Sequence, residues 1–182
     1  EESVKLVLGG AASFNDGSSN TVGEGHGDFL LYNLNGAQQL PDYRQLYGDV
    51  LVKYKGFSLL GEYAVATATN LEGTYIDVSG TNLIDPTEIS EFLALGSALN
   101  VQLGYVTKSG YAADFSYSST TSEFDANVNS QLRDMNAIRL GLSKYFKGND
   151  LKLQTAVSSI TDNSALEAVN TLRGELLLQL IF

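Results

Sequence analysis

Hydrophobic and polar positions alternate with a period of two along most of this chain. The alternating segments run about 10 to 13 residues, a length that reads as strand and not helix. From Gly56 to Ala66, Phe57, Leu59, Gly61, Tyr63 and Val65 fall on one face, opposite Ser58, Leu60, Glu62, Ala64 and Ala66. Leu99, Val101, Leu103 and Tyr105 likewise alternate with Ala98, Asn100, Gln102 and Gly104. Tyr111, Ala113, Phe115 and Tyr117 alternate with Ala112, Asp114, Ser116 and Ser118. The last segment sets Leu172, Leu176, Leu178, Leu180 and Phe182 against Arg173, Glu175, Leu177, Gln179 and Ile181. Eight strands are predicted, at residues 3–14, 44–55, 56–68, 96–107, 109–120, 135–146, 149–160 and 171–182.

The connections between these strands alternate in length. Lys55-Gly56, Lys108-Ser109-Gly110 and Lys147-Gly148-Asn149-Asp150 are turn-like, whereas 15–43, 70–95, 121–134 and 161–170 are long and polar. Short turns at one end and long loops at the other describe a membrane barrel of the bacterial outer-membrane type. The expected fold is therefore all-β: an antiparallel up-and-down transmembrane barrel of eight strands, one domain over 1–182. An even strand count puts both termini on the short-turn, periplasmic side. Strands of about 11 residues tilted by about 45° also match the hydrocarbon thickness. A soluble eight-stranded barrel of the lipocalin type has the same period, with the apolar face turned inward.

Aromatic residues recur near strand ends: Phe14, Tyr47, Tyr54, Phe57, Tyr63, Tyr105, Tyr111, Tyr145, Phe146 and Phe182. Those on an outward face would form interfacial girdles. The final strand, with Leu176, Leu178, Leu180 and terminal Phe182, looks like the signal read by the bacterial barrel-assembly machinery. A soluble protein ending this way would expose a sticky edge.

Composition narrows the picture. No run approaches the roughly 20 apolar residues of a membrane helix. The 18 glycines and 10 tyrosines, with only 2 prolines, favour strands. With no cysteine there is no disulfide framework, thiol nucleophile or zinc knuckle. Glu1-Glu2-Ser3 carries no basic and apolar targeting segment, so a signal peptide has been removed or the chain is a piece of something longer. A net charge of −10 argues against nucleic acid as a partner.

If the apolar face meets lipid, the polar face lines the interior. Its charged members are Lys5, Asp49, Lys53, Glu62, Asp114, Arg139, Lys152, Arg173 and Glu175, five cations and four anions. That near balance suits an ion-paired plug, with Glu62 and Arg139 as members, and equally a weakly selective pore. The long loops are acidic: Asp16, Glu24, Asp28, Asp42, Glu72, Asp77, Asp85, Glu88, Glu91, Glu123, Asp125, Asp134, Asp162 and Glu167, with Arg133 as their one base and Arg44 at a boundary. Lys55, Lys108, Lys144 and Lys147 cluster at the turn end. The acidic rim reads either as a surface for divalent cations shared with lipopolysaccharide or as a solvated surface; no other cofactor is expected.

Candidate chemistry is sparse. His26, the one histidine, lies between Glu24 and Asp28 on a Gly-rich loop, a weak metal pattern. No nucleophile–histidine–acid set is available, so an enzyme is not expected. Asp85-Pro86-Thr87-Glu88 predicts a helix start and a short helix at 86–94. Phe29-Leu30-Leu31-Tyr32-Asn33-Leu34 is apolar enough for an inward-folded or lid segment.

Residues Asp49-Val50-Leu51-Val52-Lys53-Tyr54-Lys55-Gly56-Phe57-Ser58-Leu59-Leu60-Gly61-Glu62-Tyr63 resemble a hairpin of the phosphate-selective porin O and P family, Bacteroidetes-type. Gln102–Tyr105, Leu142–Gly148, Leu151–Gln154 and Leu178–Phe182 are similar too, in the same order. The match spans most of 44–182 and looks like the C-terminal half of such a porin, so the resemblance implies either a minimal eight-stranded barrel derived from that family or the C-terminal eight strands of a larger porin barrel. The resemblance implies an outer-membrane channel for small hydrophilic solutes or ions. It also implies lipid, lipopolysaccharide and other outer-membrane proteins as neighbours. The family's anion preference rests on rings of basic residues, which the balanced lumen here lacks. The alternative function is a closed structural barrel that anchors or joins an outer-membrane complex.

Overall fold

The structure, a computed structural model, describes residues 2–17, 31–34, 37–69, 74–76, 83–84, 89–147 and 150–181. The first strands are β1 (Lys5–Asn15), β2 (Leu31–Leu34), β3 (Ala37–Gln39), β4 (Asp42–Tyr54) and β5 (Phe57–Thr69). After them come β6 (Thr74–Ile76), β7 (Leu83–Ile84) and a single helical turn, α1 (Ile89–Phe92). The chain continues with β8 (Gly96–Val106), β9 (Tyr111–Ser122), β10 (Met135–Lys147), β11 (Leu151–Asp162) and β12 (Val169–Leu180).

Eight long strands form one antiparallel sheet in the order β1-β4-β5-β8-β9-β10-β11-β12. Each pairs with the long strands before and after it in the chain, an up-and-down meander. Their ends lie within two residues of the alternating segments. The turn chemistry explains the register. Lys55 and Gly56 both take positive φ, 45° and 88°, the mirror-image turn whose twist matches a two-residue hairpin. Tyr54 consequently faces Phe57, and the pairing runs unbroken to Asp42 opposite Thr69.

Among the described residues β1 pairs only with β4, and β12 only with β11. The expected closure of eight strands on themselves is thus not found: the sheet is open. All of β1 and nearly all of β12 are exposed. On the polar face Gly104, Gly141, Ala156, Ser116 and Ser158 alternate with Asp114 and Arg139. A closed eight-stranded barrel is filled by its inward side chains, and small residues at these positions fill less of it.

The long connections are more ordered than their composition implies. Pieces of the first two form a second sheet, β3-β2-β6-β7, in which Tyr32 faces both Gln39 and Tyr75. Of residues 29–34, expected to fold inward or act as a lid, Leu31–Leu34 is a strand of that sheet, and Phe29 and Leu30 lie outside the described residues. Long loops carry backbone donors and acceptors that need partners, and a short ladder supplies them. The expected helix at 86–94 is the shorter α1; Asp85, Pro86 and Glu88 lie outside the described residues.

The best-buried side chains sit at the loop end, among them Leu93, Leu95, Pro41 and Ser90. There Ser90 Oγ lies 2.9 Å from Ser130 Oγ, and Gln131 N donates to Ser90 O at 2.8 Å. The Asn127 amide donates to Glu91 at 2.7 Å, and Tyr43 OH donates to Ala94 O at 2.8 Å. Arg133 pairs with Asp162. The second, third and fourth long connections are stitched into one cap over that end of the sheet.

Gly96, at the start of β8, has φ +136°, and a Cβ there would collide with the Thr121 carbonyl. Gly96→Ala is expected to lower unfolding stability by about 1–3 kcal/mol. A urea titration followed by far-UV circular dichroism would read this as a lower midpoint.

Candidate functional site

The register assigns every long-strand side chain to a face. One hydrogen-bonded row reads Leu6, Val52, Leu59, Leu103, Phe115, Leu140, Val157 and Gly174, and carries no polar side chain. The next row on the opposite face reads Lys5, Lys53, Ser58, Gly104, Asp114, Gly141, Ala156 and Glu175. Burial then says which face is enclosed. On β10 and β11, Ser143, Ala156 and Ser158 are buried, whereas Leu140, Leu142 and Val157 are 60%, 61% and 52% exposed. On these two strands the polar face is the buried one and the apolar face the exposed one, whereas β1 is exposed on both.

All nine charged residues expected on the polar face are there. Asp49 and Glu62 face each other across β4 and β5. Arg139 and Arg173 flank Ser158 one row away from Asp114 and Glu175. Lys152 lies nearer the short turns, its ammonium 5.0 Å from the Tyr145 ring centroid.

Arg139 is the hub. Its Nη1 donates to Asp114 Oδ1 at 3.2 Å and its Nη2 to Glu175 Oε2 at 3.5 Å. Arg173 pairs with the other Glu175 oxygen at 2.8 Å. These side chains stay roughly a third exposed or more, so the network is hydrated. The expected joint role of Glu62 and Arg139 divides. Glu62 accepts the Asn100 amide at 2.6 Å, while Arg139 serves strands β9 and β12.

Two carboxylates are seated on glycines. The Asp114 carboxylate occupies the space a Cβ on Gly141 would take, and Asp49 does the same over Gly9. The sequence marks Gly9-Gly10 as a place for close packing or a bend but not Gly141, nor which acid sits over either glycine. A glycine directly across the ladder from an acid is the signal, and it emerges only once register is known. Between Lys53, Gln102, Asp114 and Arg139 the polar face forms a hollow of about 530 Å³. Lys53 and Arg139 on one hand and Asp114 on the other edge that hollow with charges of both signs.

The aromatic residues divide between the faces. Tyr54, Phe57, Tyr105 and Tyr111 gather on the apolar face near the short turns, with the Phe57 and Tyr105 rings 4.4 Å apart. Tyr47 and Tyr145, also expected as girdle candidates, lie on the polar face. Leu176, Leu178 and Leu180 share the apolar face of β12 and are exposed; Phe182 is outside the described residues. Glu24, His26 and Asp28 are also outside them, and no metal-ligating cluster occurs among the described residues. In the loop cap, desolvation pushes the Glu123 carboxyl above its ordinary value. The folded cap therefore binds that proton more tightly than the unfolded chain, and gains stability as pH falls through the group's range.

Compared with models of known protein families, with characterised proteins and with solved structures, the chain matches none. Its functional reading rests on the two faces described above.

A double-mutant cycle with Asp114→Asn and Arg139→Gln should give a coupling energy of about 0.5–1 kcal/mol, the range of a hydrated pair. Gly141→Val should abolish most of that coupling by evicting the Asp114 carboxylate. Urea midpoints of the variants, alone and combined, test both.

Proposed function

We propose that this sheet is part of the wall of an outer-membrane β-barrel that passes small hydrophilic solutes or ions by diffusion, in the manner of a porin. What supports the reading is the two-faced sheet: one face carries a hydrated ion-pair network around Arg139 beside buried Ser143, Ala156 and Ser158, while leucine, valine and aromatic side chains are exposed on the other. In water such a face would be a large exposed apolar patch; in a bilayer it is the solvated surface. The alternating loop lengths and the tyrosines near the short turns support the same orientation. Both termini would then lie in the periplasm and the acidic loops outside, facing lipopolysaccharide. The apolar face of β12, with Leu176, Leu178 and Leu180, would be read by the barrel-assembly machinery.

An open channel is favoured over a closed structural plug by the small residues of the polar face and by the position of β1 and β12 as the two ends of the strand order among the described residues. In this reading the wall is completed by further antiparallel strands on those two edges. Passage would be passive, with the protein acting on charge and size and not on covalent bonds.

The protein purified from membranes in detergent should migrate differently on gels before and after boiling, as folded barrels do. In planar bilayers it should give stepwise conductance with weak ion selectivity. Arg139→Glu should move the reversal potential toward cation selectivity. A heat-modifiable protein that never conducts would end the channel reading and leave the closed barrel.

A further inference from the structure

On the apolar face, near the short turns, lies a groove of about 360 Å³, within the size range of small-ligand sites. Ala113 and Thr155 are its small floor residues; Tyr105, Tyr111, Leu142 and Leu153 rise around them. They are small and large neighbours in adjacent rows, so the register itself cuts the groove. At its turn-end edge stands Lys144, the one charged side chain among lining residues that are otherwise apolar, tyrosine, threonine or serine.

Lys144 is held in place. Its Nζ donates to Ser109 O at 2.8 Å and sits 3.6 Å from the Tyr111 ring centroid. The ammonium has three protons. One serves the Ser109 carbonyl and the tyrosine ring takes a second direction, leaving a third for a ligand. A lysine on a lipid-facing strand costs little when it reaches the interface, and here the reach is fixed by a backbone carbonyl. A positive charge fixed beside an apolar groove, with two tyrosines on its flank, complements a phosphate joined to an acyl chain.

We propose that this groove binds an anionic glycerophospholipid of the periplasmic leaflet, with the acyl chain over Ala113 and Thr155 and the phosphate on Lys144. The tyrosine hydroxyls of Tyr105 and Tyr111 are placed to meet the glycerol region. This site rests on the membrane reading above, and a lipid of the opposite leaflet would not reach it, because Lys144 is at the turn end.

The test reconstitutes the whole protein in vesicles of equal parts phosphatidylcholine and phosphatidylglycerol, extracts it gently, and weighs retained lipid by native mass spectrometry. Phosphatidylglycerol should be enriched over phosphatidylcholine. Lys144→Gln should weaken that retention about tenfold, the loss of one hydrogen bond to a charged group. Lys144→Arg should keep it, and Ala113→Trp should abolish it by filling the groove while leaving the charge. Heat-modifiable migration of each variant reports insertion separately. Inserted protein that retains both lipids equally, or whose preference survives both Lys144→Gln and Ala113→Trp, overturns the lipid site alone. Wild-type protein that does not insert overturns the membrane reading and this site with it.

Discussion

Register is the constraint on which everything else in this molecule depends. Because strand side chains alternate strictly, a slip of one residue between any two long strands would carry a whole set of leucines to the polar side. The two-residue turn at Lys55-Gly56 pins one pair, and three-residue or four-residue turns pin two others. With those fixed, the rows across eight strands become uniform: hydrocarbon in one, charge and small residues in the next. Neither face would have a definite character if the pairing drifted.

The polar face is built for room and not for packing. Glycine, alanine and serine occupy the centre of the sheet, and the carboxylates of Asp49 and Asp114 lie flat over glycines across the ladder. Arg139 bridges from Asp114 on one neighbouring strand to Glu175 two strands away. Such a bridge spans β11 above Ala156 and Ser158, which are small enough to let it pass. The network holds its charges against the wall while leaving space in front of them. Its partial hydration keeps the pairing modest in energy, so the wall's stability rests on the backbone ladder.

Much of this was legible in the sequence, and the reasons differ by element. The eight strands were readable because alternation over a dozen residues has no competing helical reading, and the nine charges of the polar face followed from parity alone. The small sheet formed by β2, β3, β6 and β7 was not readable. Its strands are two to four residues long, too short to display a period, and they pair across connections far apart in the chain. The partners of Arg139 and Glu62 were not readable either. Parity assigns a face, but only register says that Asn100 is opposite Glu62 and that Gly141 is opposite Asp114. Closure misled for a related reason. Strand count suggests a barrel size, whereas the volume of the inward residues decides whether that size can be filled.

The meander order has a consequence for how the chain reaches this state. Every long strand hydrogen-bonds to the long strand next to it in sequence, so hairpins can add one after another with little loop-closure entropy at each step. Such a topology has low contact order for a β-protein and zips locally. The two outer strands are the exception. Each has a single long-strand neighbour among the described residues, so only one ladder holds it to the sheet. Growth of the sheet should therefore be nearly sequential, with β1 and β12 the first strands to fray.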